Sequence, residues 1–209
     1  NIREYPFSSF YQAEILPDVV PQSEKLEIRQ KLGIGEAKML LAIGQFIPRK
    51  GFDVLLKAAA QLDKTVGIYF VGGEATPEYT ALRETLGLTN VHFVGFKPKA
   101  ELAEYYKAAD AFVLPTREDI WGLVINEAMA YGLPVVTTDR CVAGMELVEN
   151  GVNGYLVPVA DENALAYRLR ELLSSDMSAM GRISLKKIQN YTLENMAKAH
   201  MDYLQECGK

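Results

Sequence analysis

Along this chain, short runs of consecutive apolar residues alternate with stretches in which apolar positions recur every three or four residues. Six such runs occur, at 39–45 (M-L-L-A-I-G-Q), 66–73 (V-G-I-Y-F-V-G-G), 91–96 (V-H-F-V-G-F), 110–115 (D-A-F-V-L-P), 134–139 (P-V-V-T-T-D) and 154–158 (G-Y-L-V-P). Each is short for a helix and lacks the in-out alternation of a half-exposed strand, so the pattern predicts six strands buried on both faces. Helical spacing falls between them, over 52–62, 78–86 and 99–108. A further apolar helix carries a single glutamate, Glu127, between the fourth and fifth runs. After the sixth run the chain is periodic almost throughout, predicting helices over 161–174, 177–190 and 193–206, with Thr192 placed to cap the last. Residues 1–38 are less patterned, with a short helix over 26–32. Strands separated by helices imply an α/β fold, a doubly wound parallel six-stranded sheet of Rossmann-like type with C-terminal helices. The expected organisation is a segment 1–38 that precedes the core, a core over 39–191 and a terminal helix within 192–209.

Composition narrows the partners more than the fold. With 209 residues, 49% hydrophobic and 23% charged, the chain can bury a core without disulfide or metal support. A formal net charge of −5 gives no reason to expect nucleic acid, and Lys186 with Lys187 reads as a solvated helix face. Cys141 and Cys207 are far apart and lack metal spacing, which predicts two free thiols in a reducing cytoplasm. No apolar run approaches the roughly 20 residues of a membrane-spanning helix, and the chain does not open with a secretory signal. It opens on Asn1 as if in mid-structure, and is expected to be part of a longer protein.

The chemistry gathers at one place if the strand order is 3-2-1-4-5-6. The switch point then lies between the first and fourth strands, and ligands of such sheets bind outside the carboxyl ends there. The two loops concerned are 44–51 (G-Q-F-I-P-R-K-G) and 116–122 (T-R-E-D-I-W-G), the most charged strand-to-helix loops of the sheet. Neither a G-x-G-x-x-G turn nor a G-x-x-x-x-G-K-[ST] loop is present in the first. It offers Arg49 and Lys50 ahead of a helix, while Gly122 opens another helix across the crevice. Two helix N-termini and a lysine suit a pyrophosphate, and the alternative for Arg49 and Lys50 is plain surface solvation. Glu127 lies five residues beyond Gly122. A buried carboxylate needs partners; it either satisfies backbone amides or a lysine, or it accepts two ribose hydroxyls from a ligand.

These stretches, together with E-N-G-V-N-G-Y-L-V-P and the segment from Pro115 to Val136, resemble glycosyltransferase family 4 over roughly residues 39–191. The likeness is to the C-terminal, nucleotide-sugar-binding domain of these GT-B enzymes. It implies a retaining glycosyltransferase of hexosyltransferase type, with no catalytic metal and no cofactor. The substrate would be a nucleoside-diphosphate sugar, and an N-terminal domain absent from this chain would hold a saccharide or lipid-linked acceptor. The family hallmark is a pair of glutamates separated by seven residues. Glu127 stands at the second position, where the family binds ribose. Asp119 stands at the first, with Glu118 beside it, so either carboxylate is a candidate for the donor sugar or the reaction centre. The family's Arg-x4-Lys clamp falls on Gln45 and Lys50, with Arg49 as a compensating charge. Phe96 matches the place where backbone groups meet the base, and Gly122 and Leu123 match the amides near the distal phosphate. The catalytic candidates are thus Lys50, Asp119, Glu118 and Glu127, with Lys50 stabilising the leaving diphosphate.

The resemblance also places the protein in surface polysaccharide or glycoconjugate synthesis, in the cytoplasm or peripherally at the inner face of the membrane. On its own, the chain is expected to bind nucleotide and to transfer sugar poorly. Two other readings remain open, a non-catalytic nucleotide-binding module and a GT-B-type sugar-nucleotide epimerase. His92 and His200 are expected to be structural, which leaves no general-acid histidine.

Overall fold

The computed structural model describes residues 6–207. Six strands form one sheet, β1 (Lys38–Gly44), β2 (Val66–Gly72), β3 (Val91–Gly95), β4 (Ala111–Leu114), β5 (Val135–Thr138) and β6 (Gly154–Val157). Their spatial order is β3-β2-β1-β4-β5-β6, every neighbouring pair parallel. This is the doubly wound order assumed in placing the ligand crevice, and its switch point falls between β1 and β4.

The helices are α1 (Gln22–Leu32), α2 (Phe52–Ala59), α3 (Pro77–Thr85), α4 (Lys99–Ala108), α5 (Leu123–Ala130), α6 (Val142–Leu147), α7 (Glu162–Leu173), α8 (Met177–Ile188) and α9 (Leu193–Cys207). Alternate residues of each strand go to opposite faces, so the sheet separates two cores. Met39, Leu41, Tyr69, Phe112, Leu114 and Val135 lie in one, beneath residues of α1, α4, α5, α6 and α8. Leu40, Ala42, Ile68, Phe70, Val113 and Val136 lie in the other, beneath α2, α3 and α7. The buried cysteine, Cys141, is a free thiol as expected.

Two elements differ from the sequence expectation. Helix α1 starts at Gln22, four residues before the apolar pattern of 26–32 begins, because its first turn is largely solvent-facing and shows no apolar period. Its fully buried Arg29 bonds the Ala108 carbonyl at 2.8 and 2.6 Å and pairs with Asp110 at 2.7 Å. Asp110 in turn accepts the Met39 amide at 2.8 Å, so α1 is tied to the starts of β1 and β4. Helix α6 has only six residues, too few turns for periodicity to reveal. At the start of α9, Thr192 Oγ1 accepts the Asn195 amide at 3.3 Å, in the capping position read from the sequence.

Candidate functional site

Glycines flatten the floor of the site. Gly44 and Gly72 end β1 and β2 at φ of +151° and +140°, and a Cβ on Gly72 would stand 2.3 Å from the Gly44 carbonyl oxygen. The loop that leaves this floor is pinned by Phe46, whose ring meets Phe52, Tyr79 and Phe93 edge-on at centroid distances of 5.3, 5.1 and 4.9 Å. It then makes one 3-10 turn, Pro48–Lys50, and enters α2 through Gly51 at φ +67°. A side chain at 51 would collide with the Pro115 carbonyl at 2.0 Å, so the β1 and β4 loops touch backbone to backbone. The Arg117 amide and Thr116 Oγ1 both donate to the Arg49 carbonyl, at 2.7 and 2.9 Å. The Arg117 guanidinium grips Asp53 with bonds of 2.8 and 2.7 Å.

This stitching brings the charged candidates together. Lys50 Nζ lies 2.7 Å from Asp119 Oδ2, and Arg49 Nη1 lies 3.2 Å from the same oxygen. Two cations thus converge on one carboxylate at the switch point. The lysine and the aspartate are each 14% exposed, the arginine 47%. Glu118 is exposed, and its carbonyl accepts Arg49 Nη1 at 3.0 Å. Of the two candidate acids, the structure therefore sets Asp119 beside Lys50. The unforeseen α6 holds it there. The Asp119 amide donates to the Arg140 carbonyl at 3.0 Å, and the Val142 and Ala143 amides donate back to Asp119 and Trp121 at 3.2 and 2.8 Å.

Gly122 begins α5 at φ +97°, buried so closely that a Cβ would lie 2.7 Å from Cys141 Sγ. The amides of Leu123 and its neighbour open the helix, and no side chain caps them. One turn further on, Glu127 receives two hydroxyls, Tyr106 Oη at 2.8 Å and Ser9 Oγ at 3.4 Å. Burial raises its pKa, and the Tyr106 and Ser9 hydrogen bonds and the nearby Lys99 charge pull the other way. Its hydrogen-bond partners within the chain are thus two hydroxyls rather than backbone amides or a lysine. Neither Ser9 nor Tyr106 could be read from the sequence, since they are 118 and 21 residues away from Glu127 and Tyr106 looks like an ordinary core aromatic.

Two cavities adjoin one another, the first along the carboxyl ends of β1 and β2 and the second between the N-terminal segment, α4 and α5. One, of about 360 Å³, is lined by Gly44, Gln45, Gly72, Gly73 and Glu74; the other, of about 310 Å³, by Ser9, Lys99, Tyr106, Glu127 and Tyr131. Phe96, Lys97 and Leu102 line both, so they form one trough with Gln45 at one end and Glu127 at the other. Phe96 is 79% exposed, a large apolar ring open to solvent at this place. The Lys50 stem runs past the floor, where a Cβ on Gly44 would meet Lys50 Cε at 3.5 Å. His92 sits away from the trough, stacked on Tyr69 at 4.4 Å and bonded to Glu36 at 2.6 Å. Among the described residues, no group of three or more His, Cys, Asp or Glu side chains could hold a metal ion. Among them, too, no helix is long and apolar enough to cross a membrane.

Comparison with known proteins identifies the family and the fold. The family model of the glycosyl transferases group 1 matches residues 24–194. A D-inositol 3-phosphate glycosyltransferase of Corynebacterium urealyticum is 36% identical over 186 residues, which cover 81% of this chain and 43% of that protein. The lipopolysaccharide glucosyltransferase WaaG of Escherichia coli K12 is 34% identical over 150 residues, covering 69% of this chain and 36% of the relative. Among solved structures, Alr3699/HepE of Anabaena in complex with UDP superposes with a TM-score of 0.84 at 25% identity, covering 96% of this chain and 57% of that one. The chain therefore spans between 36% and 57% of the length of these three proteins. With a family match over most of its length and the six-stranded parallel sheet of the GT-B enzymes, the chain belongs to the group 1 glycosyl transferases.

Proposed function

We propose that this chain is the nucleotide-sugar-binding part of a retaining, metal-independent glycosyltransferase that moves a hexose-type sugar from a nucleoside-diphosphate sugar to an acceptor. The observation that carries the reading is the trough itself. A half-buried carboxylate marks one region of it, and a Lys-Arg pair on an aspartate stands beside its glycine floor. In this reading the base lies against Phe96 and the backbone next to it. The ribose hydroxyls donate to Glu127, and the diphosphate is held by Lys50, Arg49 and the amides of Gly122 and Leu123. Charge grows on the diphosphate as the sugar leaves, and fixed cations and a helix N-terminus stabilise that charge without reorganisation. Asp119, already hydrogen-bonded to Lys50, is assigned to the sugar side, with Glu118 further out. Gln45 stands where the resemblance places an arginine, and Arg49 supplies the second positive charge from the neighbouring turn.

The UDP held by the Anabaena protein supports a uridine donor, and the lipopolysaccharide glucosyltransferase supports a role in surface glycoconjugates. Acceptor binding is assigned to a further N-terminal portion, for which the longer relatives leave ample room. Peripheral contact with the inner face of the membrane would come through that portion, and the reaction would run in the cytoplasm. The test is product analysis with the longer protein and UDP-glucose. A glycoside whose anomeric proton keeps the donor's configuration is expected. Inversion would overturn the retaining assignment, and an epimerised nucleotide sugar without transfer would overturn the transferase reading.

A further inference from the structure

The carboxylate of Glu127 is not free to turn. Its Oε2 accepts the Tyr106 hydroxyl at 2.8 Å, and its Oε1 has only the longer contact with Ser9 at 3.4 Å. Tyr106 belongs to the last turns of α4 and is 2% exposed. Its ring stacks on Tyr131 with centroids 4.9 Å apart and planes 3° from parallel, and it tilts against Phe112 at 6.2 Å. A ring clamped in this way cannot follow a moving acceptor, so its hydroxyl is a fixed point. Each carboxylate oxygen offers two lone pairs. With Tyr106 on Oε2, the Oε1 edge keeps acceptor capacity for other hydroxyls.

We infer that Tyr106 is a positioning residue for donor binding, its hydroxyl fixing the Glu127 carboxylate as the acceptor for the vicinal hydroxyls of a nucleoside ribose. This rests on the proposed reading of Glu127 as the ribose acceptor. Other charged and titratable groups share the cavity: Lys99 from the start of α4, Lys97 just before it, Glu14 from the N-terminal segment and Tyr131 after α5. Lys99 is engaged with Glu14, and Lys97 with Glu101 at 3.1 Å. Burial favours the neutral acid at 127, while the Tyr106 hydroxyl favours the carboxylate. Without that hydroxyl, Glu127 takes up a proton at higher pH and becomes a poorer acceptor.

Tyr106→Phe keeps the ring and its stacking and removes one oxygen. Titration with UDP is expected to show a loss of roughly threefold at pH 8, growing to roughly tenfold at pH 6. The titration of UDP itself is common to all variants and cancels in the ratio to wild type. In a Glu127→Gln background, which has no proton to gain, the growth of the loss from pH 8 to pH 6 is expected to disappear and the loss itself to shrink. A loss that is the same at both pH values, or that persists undiminished in the Glu127→Gln background, would reduce Tyr106 to a packing residue while leaving the ribose reading intact. Unchanged UDP affinity in Glu127→Gln alone would remove the ribose reading, and this inference with it.

Discussion

A half-buried carboxylate that accepts two hydroxyls and an aspartate paired with two cations are the residue-scale facts from which the function is argued. Glu127 could be singled out in the sequence because an ionisable residue in an otherwise apolar helix needs a reason to be there. What it touches could not, because Ser9 and Tyr106 reach it from distant parts of the chain. The choice between Asp119 and Glu118 was equally closed to sequence reasoning, since in an irregular loop no periodicity fixes which side chain turns inward. If Glu127 holds a ribose, Glu127→Ala weakens UDP binding by about 1.5–3 kcal/mol, the usual range for hydrogen bonds to charged groups, and leaves the circular dichroism spectrum unchanged. Unaltered affinity would return Glu127 to a structural role. Its raised pKa also makes a stability prediction. A carboxyl whose folded pKa lies above its ordinary value of 4.5 contributes stability that is complete below that value and is lost as pH rises through the folded pKa. Glu127→Gln, neutral throughout, should therefore melt above the wild type near pH 7.5, and the gap should close near pH 4. A variant less stable than the wild type near pH 7.5 would contradict the assignment of burial as the dominant influence.

At the scale of elements, the six strands were legible because strands buried on both faces leave continuous apolar runs, and their alternation with helices indicated a parallel sheet, whereas the order of the strands was assumed rather than read. The short α6 was not legible, yet its first amides hold the loop that carries Asp119. The contact between the β1 and β4 loops was hidden as well, because a glycine in sequence does not say whether it is needed for its φ or for lack of room. Gly33 and Gly51 separate the two cases. Both have left-handed φ, +71° and +67°, but a Cβ at 33 meets nothing within 4 Å, whereas one at 51 would lie 2.0 Å from the Pro115 carbonyl. Gly33→Ala should cost about 1 kcal/mol, from conformation alone. Gly51→Ala should cost more than that and also lower UDP affinity, since Lys50 and Asp119 are brought together by the two loops that meet there. Denaturant unfolding measures the first and calorimetry the second. Equal costs at the two positions would mean that the loops yield easily and do not set the site.

For the molecule as a whole, the trough runs from the carboxyl ends of β1 and β2 to Glu127, and the cations that meet Asp119 at the switch point stand beside its glycine floor. The exposed ring of Phe96 and the Glu127 carboxylate suit a nucleoside, and the Lys50 and Arg49 cations suit a diphosphate. The central claim is that this chain binds a nucleoside diphosphate through that trough. Calorimetric titration of the chain with UDP, in parallel with GDP, ADP and NAD at matched salt, tests it most directly. The account predicts one saturable site for UDP, silence with NAD, and UDP binding weakened at least about tenfold in Lys50→Ala, which removes a charged contact to phosphate. UDP binding that is indifferent to Lys50, or absent from a folded chain, would contradict it.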